Sequence, residues 1–587
     1  MEYPTLNVKQ KSRQMADAFY GYNHNLRIGD SEFYDMKNMT SDHYPVLAPR
    51  GARGLYKTAN ATGIISKDKL CYVDGSAFVV GHDRIEMELS TAAGKCPKSL
   101  TSMGAYVIIM PDKKYINTIK TNDAYEFGNI EATFTTTKDV SFQLCSITGD
   151  AYEDATISAA APESPENNQL WIDTSTTPHT LKKYSVSNAM WVSIATTYIK
   201  IASEGIGKEF KQYDGVELSG IKVSSLTSLN GSHALWDCGD DYLIITGILD
   251  KVATQTAAKG KITVSRKMPE MDFIVEANNR LWGCRYGADN DGKAVNEIYA
   301  CKLGDFKNWN CFMNLSTDSY AASCGTDGNF TGATTHLGYP LFFKENCIHK
   351  VYGDYPSNYR IQHTVCRGVQ KGSHRSLATV NETLFYKSGN GVCAYDGSLP
   401  VEMSAALGEI RYSNAVAAAH GNKYYITMKS ADDKAHLFVY DTAKGMWHKE
   451  DDLYADGFCS YMNELYAIDN KTKNIITLLG SGTKDTKSVP WMVETGLMGM
   501  SMPDMKYISR LLVRMNLEIG AKVDISIQYD SVGDWEKVCQ MTSTSLRSFS
   551  VPVRLRRCDH FRIRIEGEGE GRIYSITKTI EQGSDVS

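Results

Sequence analysis

Four stretches of this chain have residue types and spacings from which chemistry could be built. Gly205-Ile206-Gly207-Lys208 has the glycines and lysine of a phosphate-cradling loop, but the first glycine of that motif is missing. Glu209 also stands where a Ser or Thr would meet magnesium. Asp289-Asn290-Asp291-Gly292 begins like a calcium loop. A complete loop needs further oxygen ligands and a bidentate Glu at its twelfth position. Lys293 and Ala300 occupy the fifth and twelfth positions, so a hairpin turn is expected instead. Asp432-Asp433 and Asp451-Asp452 are adjacent carboxylates in polar loops. Glycosidase carboxylates must face one another across a cleft, so these are read as solvated turns. The chain contains no GxSxG elbow, HExxH motif or Walker A loop. The expectation is a protein that is not an enzyme, with no catalytic residue, cofactor or metal.

Two further groups are candidates for binding. Arg554, Arg556, Arg557, Arg562 and Arg564 form the one basic concentration. Strand alternation places Arg562 and Arg564 on one face. A solvated face, a subunit interface with acidic partners and a DNA-facing surface all fit. The planar fork of Arg suits the second, because it pairs with carboxylates bidentately. Trp171 and Trp191 are the second group, either packed on each other or offered as a platform for a glycan. The fourteen cysteines occur without a CxxC pair, so neither a zinc ribbon nor a thioredoxin-like site is expected. Several fall in apolar strands, where Cys acts as a small hydrophobe. Reduced thiols suit folding in a cytoplasm.

The elements that must carry these residues are strands. Helical periodicity is confined to short pieces such as residues 401–407. The commonest unit is a run of apolar or aromatic residues, a tight turn, and a second run ending in Tyr-Asp or Tyr-Gly. Leu70-Cys71-Tyr72-Val73-Asp74-Gly75 and Leu281-Trp282-Gly283-Cys284 are copies. Leu341, Leu384, Tyr424 and Leu465 begin further copies at successive intervals of 43, 40 and 41 residues. That period, with four short strands, fits a propeller blade. Trp309 and Trp447 each follow a strand and a turn, where an aromatic packs between blades. From Pro490 the texture changes to clean alternation, as in Val523-Asp524-Ile525-Ser526-Ile527 and Phe561-Arg562-Ile563-Arg564-Ile565. Gly567, Gly569 and Gly571 read as a break between strands.

The expected architecture is mainly β: a β-propeller body with a small inserted hairpin module and a C-terminal antiparallel β-sandwich. Residues 1–55 read as an extended N-terminal segment and 56–140 as the first blades. Residues 141–219 read as an inserted module with its linker, 220–489 as further blades and 490–587 as the sandwich. Six to eight blades are expected. A chain of 587 residues exceeds one ordinary core, and its 42% hydrophobic and 22% charged residues are normal for a globular protein. Its net charge of −5 does not indicate tight wrapping of nucleic acid. No signal peptide and no membrane span are expected.

Two resemblances add to this reading. Leu170-Trp171-Ile172-Asp173-Thr174, then Leu181-Lys182-Lys183-Tyr184 and Trp191, resembles a small hairpin module of phage tail-fibre and tail proteins. Across most of the chain, Phe19-Tyr20-Gly21-Tyr22-Asn23, Phe33-Tyr34-Asp35-Met36 and Tyr44-Pro45-Val46-Leu47-Ala48-Pro49-Arg50 with Arg53-Gly54 carry a wider likeness. With the repeats at 344–353 and 386–397, and with 507–510 and 556–560, they resemble the β-propeller tail-hub or nozzle (DNA-stabilisation) proteins of short-tailed bacteriophages. That resemblance implies a structural virion protein of the tail or neck, an oligomer that lines or closes the channel used in DNA ejection. The implied partners are further copies in a six-fold ring, adaptor and portal-side proteins, tail fibres and transiently the exiting DNA. Assembly would take place in the host cytoplasm. The alternative is a receptor-binding or adhesin protein of the tail that recognises a cell-surface glycan.

Overall fold

The computed structural model describes residues 10–289, 292–484, 488–542 and 544–583. The chain is mainly β, and its short helical pieces are all single 3-10 turns. Two compact units are formed, one from residues 1–100, 342–348 and 363–587, the other from 101–341 and 349–362. Among the described residues no helix is long and apolar enough to cross a membrane.

The first unit contains a sandwich and several blades. One sandwich sheet runs Lys11–Ala16, Gly571–Gln582, Lys506–Leu517, Arg547–Val551 in spatial order. The other runs Phe33–Lys37, Pro490–Thr495, Phe561–Glu568, Lys522–Tyr529, Glu536–Met541. Val523, Ile525, Ile527, Phe561, Ile563 and Ile565 are all buried, because alternate side chains share one face of a strand. Each contributes about 1.5–3 kcal/mol by leaving water. Gly567 does not break the strand: it lies opposite Trp491 within the ladder. A β-carbon there would collide with the indole ring, so the missing side chain seats the tryptophan.

The first 55 residues are not a separate extended arm. Lys11–Ala16 and Phe33–Lys37 are strands of the two sandwich sheets, paired in register Lys11 to Glu581 and Asp35 to Glu494. Phe19, Tyr22, Phe33, Met36 and Met39 lie in the same core as the C-terminal strands. Short aromatic stretches between turn residues do not reveal distant partners, so this pairing had no local signal.

The blades are four-stranded antiparallel meanders. In the first unit they span 61–86, 378–402 and 412–449, each with strands in chain order. The sheet at 455–477 supplies three strands of its own and takes Gly54–Lys57 from the N-terminal side as its fourth, with Thr483–Lys484 beyond it. A propeller's ends are joined in this manner. Leu70, Leu384, Tyr424 and Leu465 each lie at or beside the start of the second strand of a blade, which accounts for the regular spacing in the sequence. Trp447 is buried, and its indole N–H donates to the Met403 carbonyl at the end of the preceding blade at 2.8 Å. The expected helical piece at 401–407 is a short strand, Val401–Glu402, followed by a 3-10 turn, Ala405–Leu407.

In the second unit, sheets at 99–129 and 273–323 have the same meander order. Trp309 packs with Ile108, Met268 and Leu281 between them. A further four-stranded sheet, 330–365, has residues in both units. Between the sheets at 99–129 and 273–323 comes an insertion larger than the 141–219 module. Ala132–Thr135 pairs with Thr263–Arg266, and Val140–Cys145 with Ala253–Gln255. Residues 132–266 thus form two sheets with their own apolar core of Phe142, Ile199, Leu218, Leu243 and Val264. The strands at 231–266 belong to this insertion and not to blades. Their strand-and-turn texture is the same as a blade's, and only the pairing separates the two. The small hairpin sheet, 156–193, is nested inside.

All fourteen cysteines are thiols, nine of them buried. Burial pushes the Cys301 thiol up to about 12, so it is an inert core group.

A buried ion cluster holds the N-terminal segment to the blades. Arg50 contacts Glu450 at 3.3 Å and Asp451 at 3.1 Å, while Arg53 contacts the same carboxylates at 2.9 and 2.7 Å. Asp451 is therefore no solvated turn residue, although its neighbour Asp452 is well exposed. Burial alone would raise the Asp451 carboxyl, but Arg53 and Arg50 outweigh it and hold it below the usual range. Gly21 adds a steric constraint. Its φ is +83°, and a β-carbon would strike the Trp447 carbonyl that accepts the Tyr22 N–H at 2.7 Å.

Two predictions follow from this fastening. Arg53→Met leaves two carboxylates buried with one cation and is expected to cost about 3–5 kcal/mol in denaturant unfolding. Asp451→Asn is expected to be destabilising at pH 7. Because the folded pKa is depressed, the ion-pair contribution is present above the unfolded value near 4 and disappears as pH falls through the folded one. The gap between wild type and Asp451→Asn should therefore narrow in acid; a gap that widens contradicts the assignment.

Candidate functional site

A cleft of about 740 Å³ opens in the second unit. Strands at 106–129 supply Tyr106, Tyr115, Glu126 and Phe127. The turn after the strand at 294–300 supplies Asp305, Phe306 and Lys307, and the segment 208–214 adds Lys208, Lys211 and Asp214. Its volume lies in the range of small-ligand sites.

Aromatic packing shapes one wall. Tyr106 and Tyr115 lie 5.0 and 5.2 Å from the Phe306 ring, and 5.9 Å from each other. A polar relay crosses these rings. Lys307 Nζ donates to Tyr115 Oη at 2.9 Å, and Tyr106 and Tyr115 donate to Glu126 at 3.0 and 3.4 Å. The Lys307 ammonium lies 4.1 Å from the Tyr115 ring centroid, where the ring quadrupole attracts it. Burial, and then Arg266, lower the Lys307 pKa. Burial and then Glu126 raise that of Tyr115.

Behind this wall Arg266 and Asp214 form a buried ion pair. Asp214 also accepts from Asn308 Nδ2 at 2.8 Å and from the Lys211 N–H at 3.0 Å. Asn308 in turn donates to Asp305 at 2.5 Å. Glu131 is tied to Lys113 at 2.9 Å. Most of the cleft's carboxylates are thus committed to holding the walls. That arrangement suits binding better than proton transfer, which needs an acid or base poised toward a substrate.

The glycines at 205–208 contribute a turn to this region and not a phosphate cradle. The Gly205 N–H donates to Asp241 Oδ1 at 2.7 Å, and the Gly207 N–H to the Asp240 carbonyl at 3.0 Å. The amides that would hold phosphate are already satisfied. In the calcium-like stretch, Asn290 and Asp291 lie outside the described residues. Asp432 and Asp433 lie in a turn, paired with Lys434 and Lys429. Among the described residues no three His, Cys, Asp or Glu side chains come together as a metal-binding group.

The five arginines divide into two sets. Arg562 and Arg564 both grip buried Glu494 on the adjacent strand, Arg564 at 2.7 Å. Arg562 also stacks 4.6 Å from the Tyr34 ring centroid and Arg564 4.1 Å from that of Trp535. Alternation gave their shared face correctly, but the sequence could not reveal that the face carries an internal clamp. Arg554, Arg556 and Arg557 are exposed on a separate loop with Leu555. Arg556 there pairs with Glu536 at 2.7 Å.

In the hairpin module Trp171 is buried, and its indole N–H donates to the Ser158 carbonyl at 3.0 Å. Trp191 meets it edge-on at 5.3 Å, and Tyr184 packs on Trp191 at 5.2 Å. Lys182 lies 4.7 Å from the Trp171 ring centroid and bridges to Asp173 at 2.8 Å. The module's repeated residue types therefore serve its own packing, and Trp171 offers no open ring to a sugar. The aromatic cleft, by contrast, is assembled from residues far apart in sequence, and no single motif announced it.

Replacing Glu494 by Ala should leave two guanidinium groups without their shared partner and cost about 3–5 kcal/mol. Trp171→Ala should cost a similar amount within the module, read as faster hydrogen exchange at 156–193. An unchanged midpoint for Glu494→Ala, or unchanged exchange for Trp171→Ala, would contradict these roles.

No protein-family model and no curated protein sequence matches the chain. Solved structures give remote likenesses only. An exo-beta-1,3-galactanase from Phanerochaete chrysosporium with galactose aligns over 52% of this chain and 94% of its own, at 9% identity and a TM-score of 0.21. Trypanosoma rangeli sialidase aligns over 90% of this chain and 96% of its own, at 8% identity and a TM-score of 0.19. The extracellular domain of the putative one component system BT4673 from B. thetaiotaomicron aligns over 90% and 95%, at 9% identity and a TM-score of 0.17. Likenesses at this level carry no conclusion about activity.

Proposed function

We propose that this chain is a structural component of a bacteriophage tail or neck, a ring-forming nozzle or hub protein at the DNA exit channel. The observation that carries the reading is the double fastening of residues 11–57. These residues enter both sandwich sheets and complete a blade, with Arg50 and Arg53 locked on Glu450 and Asp451. Segments with few buried contacts open locally most readily. A subunit that withstands the passage of packaged DNA needs segments pinned to its body. The commitment of buried carboxylates to fixed cations supports the same reading, because it spends on rigidity the groups an enzyme would keep available.

On this reading neighbouring copies meet through exposed loops. The loop at 554–557 suits an acidic neighbour, since exposed Arg554 stands beside Leu555, which is 71% exposed. Arg562 and Arg564 are internal and serve the sandwich. The net charge of −5 repels DNA mildly, which favours sliding over capture.

Electron microscopy of the purified protein beside intact virions tests this. Six-fold rings with a central channel, matching density at the tail exit, are the expected result. A stable monomer that never enters particles would overturn the reading.

A further inference from the structure

The outer face of the sandwich sheet that holds Lys506–Leu517 is basic. Leu511 and Val513 are buried in the core, so Arg510 and Arg514 stand on the opposite face. Register places Arg13, Thr579 and Arg510 in one row across three strands, and Ser575, Arg514 and Ser548 in another. Exposed Met15 lies between the two rows. Cations outnumber carboxylates there: Lys11, Arg13, Arg510 and Arg514 against Glu581 and, just past the end of the first strand, Asp17. Lys11 and Tyr507 already hold Glu581, at 2.8 and 2.9 Å. Arg514 donates to Ser548 Oγ at 3.1 Å, and among the described residues Arg13 and Arg510 meet no carboxylate. Residues 552–557 run along the edge of the same sheet, from Val551 opposite Leu511 to Cys558 bridged to Lys506. They add exposed Arg554 and Leu555. A surface rich in Arg and Met and poor in Lys has the composition of a protein interface.

A complementary surface lies in the insertion of the second unit. Residues 139–181 contain seven carboxylates and neither Lys nor Arg. Exposed Glu153 and Asp154 border a recess of about 420 Å³, whose lining includes Ile157 and Val252, 45% and 62% exposed. Asp250 of the lining is engaged by His179 Nδ1 at 2.8 Å, which leaves Glu153 and Asp154 against the one lysine of the recess, Lys251. An apolar recess with an acidic border fits an exposed leucine beside arginines. We propose that the face of Arg13 and Arg510, with the loop of Arg554 and Leu555, docks on the recess of Glu153 and Asp154 in a second copy of the chain. Leu555 then packs on Ile157 and Val252. The contact is heterologous, since each copy gives one surface and receives the other, and its repetition closes a ring when the rotation permits. Burial of Leu555 supplies affinity, while the charges select the partner and its orientation. The inference rests on the ring-forming reading and names the two surfaces such a ring uses. A nucleic-acid duplex would also meet the arginines, but it offers Leu555 and Met15 no apolar cover.

Sedimentation velocity and electron microscopy of the full chain, at low and high salt, test the contact. Wild type is expected to form rings whose association weakens about tenfold or more as salt rises. Arg510→Glu with Leu555→Asp disables the basic surface, and Glu153→Lys with Asp154→Asn disables the recess. Each doubled variant is expected to sediment as a monomer with an unchanged melting temperature. All four positions are exposed, and Asn tolerates the φ of +59° at Asp154. Each variant keeps one intact surface, so an equimolar mixture of the two is expected to give heterodimers and no rings. Leu555→Asp alone should weaken association about tenfold, and it reports on the contact if a doubled variant fails to fold. Rings that persist in either doubled variant overturn the contact and leave the ring-forming reading standing. A mixture of the two that stays monomeric overturns the pairing of these surfaces. Wild type that is monomeric at every salt concentration overturns the ring-forming reading and the contact with it. Duplex DNA that binds wild type but not Arg510→Glu with Leu555→Asp, with rings intact in that variant, gives the basic face to nucleic acid and overturns the proposal.

Discussion

The first unit depends on pairings between residues separated by most of the chain. Lys11–Ala16 lies against Gly571–Gln582, Phe33–Lys37 against Pro490–Thr495, and Gly54–Lys57 against Ile475–Thr477. Closing such loops costs entropy that grows only slowly with their length. Apolar burial in a shared core meets that cost: Phe33, Met36, Val493, Ile565 and Ile576 lie together with Phe438 and Trp447 of the adjoining blade. The ion cluster at Arg50 and Arg53 then sets the register of the segment between the second and third of these pairings.

Charge is used in the same structural way elsewhere. Glu494 between two arginines, Asp214 under Arg266 and Asp451 under Arg53 each join different strands or loops. Such pairs add little net stability over a well-packed apolar core, but they penalise any arrangement that leaves one member buried alone. They select one packing.

How much was legible in the sequence follows from the range of each interaction. Alternation in Val523–Tyr529 and Phe561–Glu568 is a local property, and it gave both the strands and their buried face. The spacing of Leu384, Tyr424 and Leu465 gave the blades, because each meander is built from neighbours in sequence. Non-local pairing left no comparable trace. The strand Tyr242–Thr246 reads like a blade strand, yet its partners are Tyr198–Ala202 and Asp237–Gly239. Phe33-Tyr34-Asp35-Met36 reads as part of an extended N-terminal segment, yet it is a sandwich strand. The cleft draws on Tyr106, Lys211 and Lys307, whose proximity only the fold creates. Gly567 shows the same limit at one residue: a glycine suggests a turn until the indole it accommodates is known.

The long-range pairing also dictates an order of events during synthesis. Lys11–Ala16 is synthesised roughly 570 residues ahead of its partner strand Gly571–Gln582. At roughly 5–20 residues per second that interval is on the order of half a minute to two minutes. Throughout it the nascent chain carries unsatisfied strand edges and an apolar half-core, both templates for aggregation. The blades at 378–402 and 412–449 have their strands side by side in sequence and can close as they emerge. The blades therefore form before the sandwich that incorporates Lys11–Ala16, and a chain cut short before Gly571 leaves that strand exposed to chaperones and proteases.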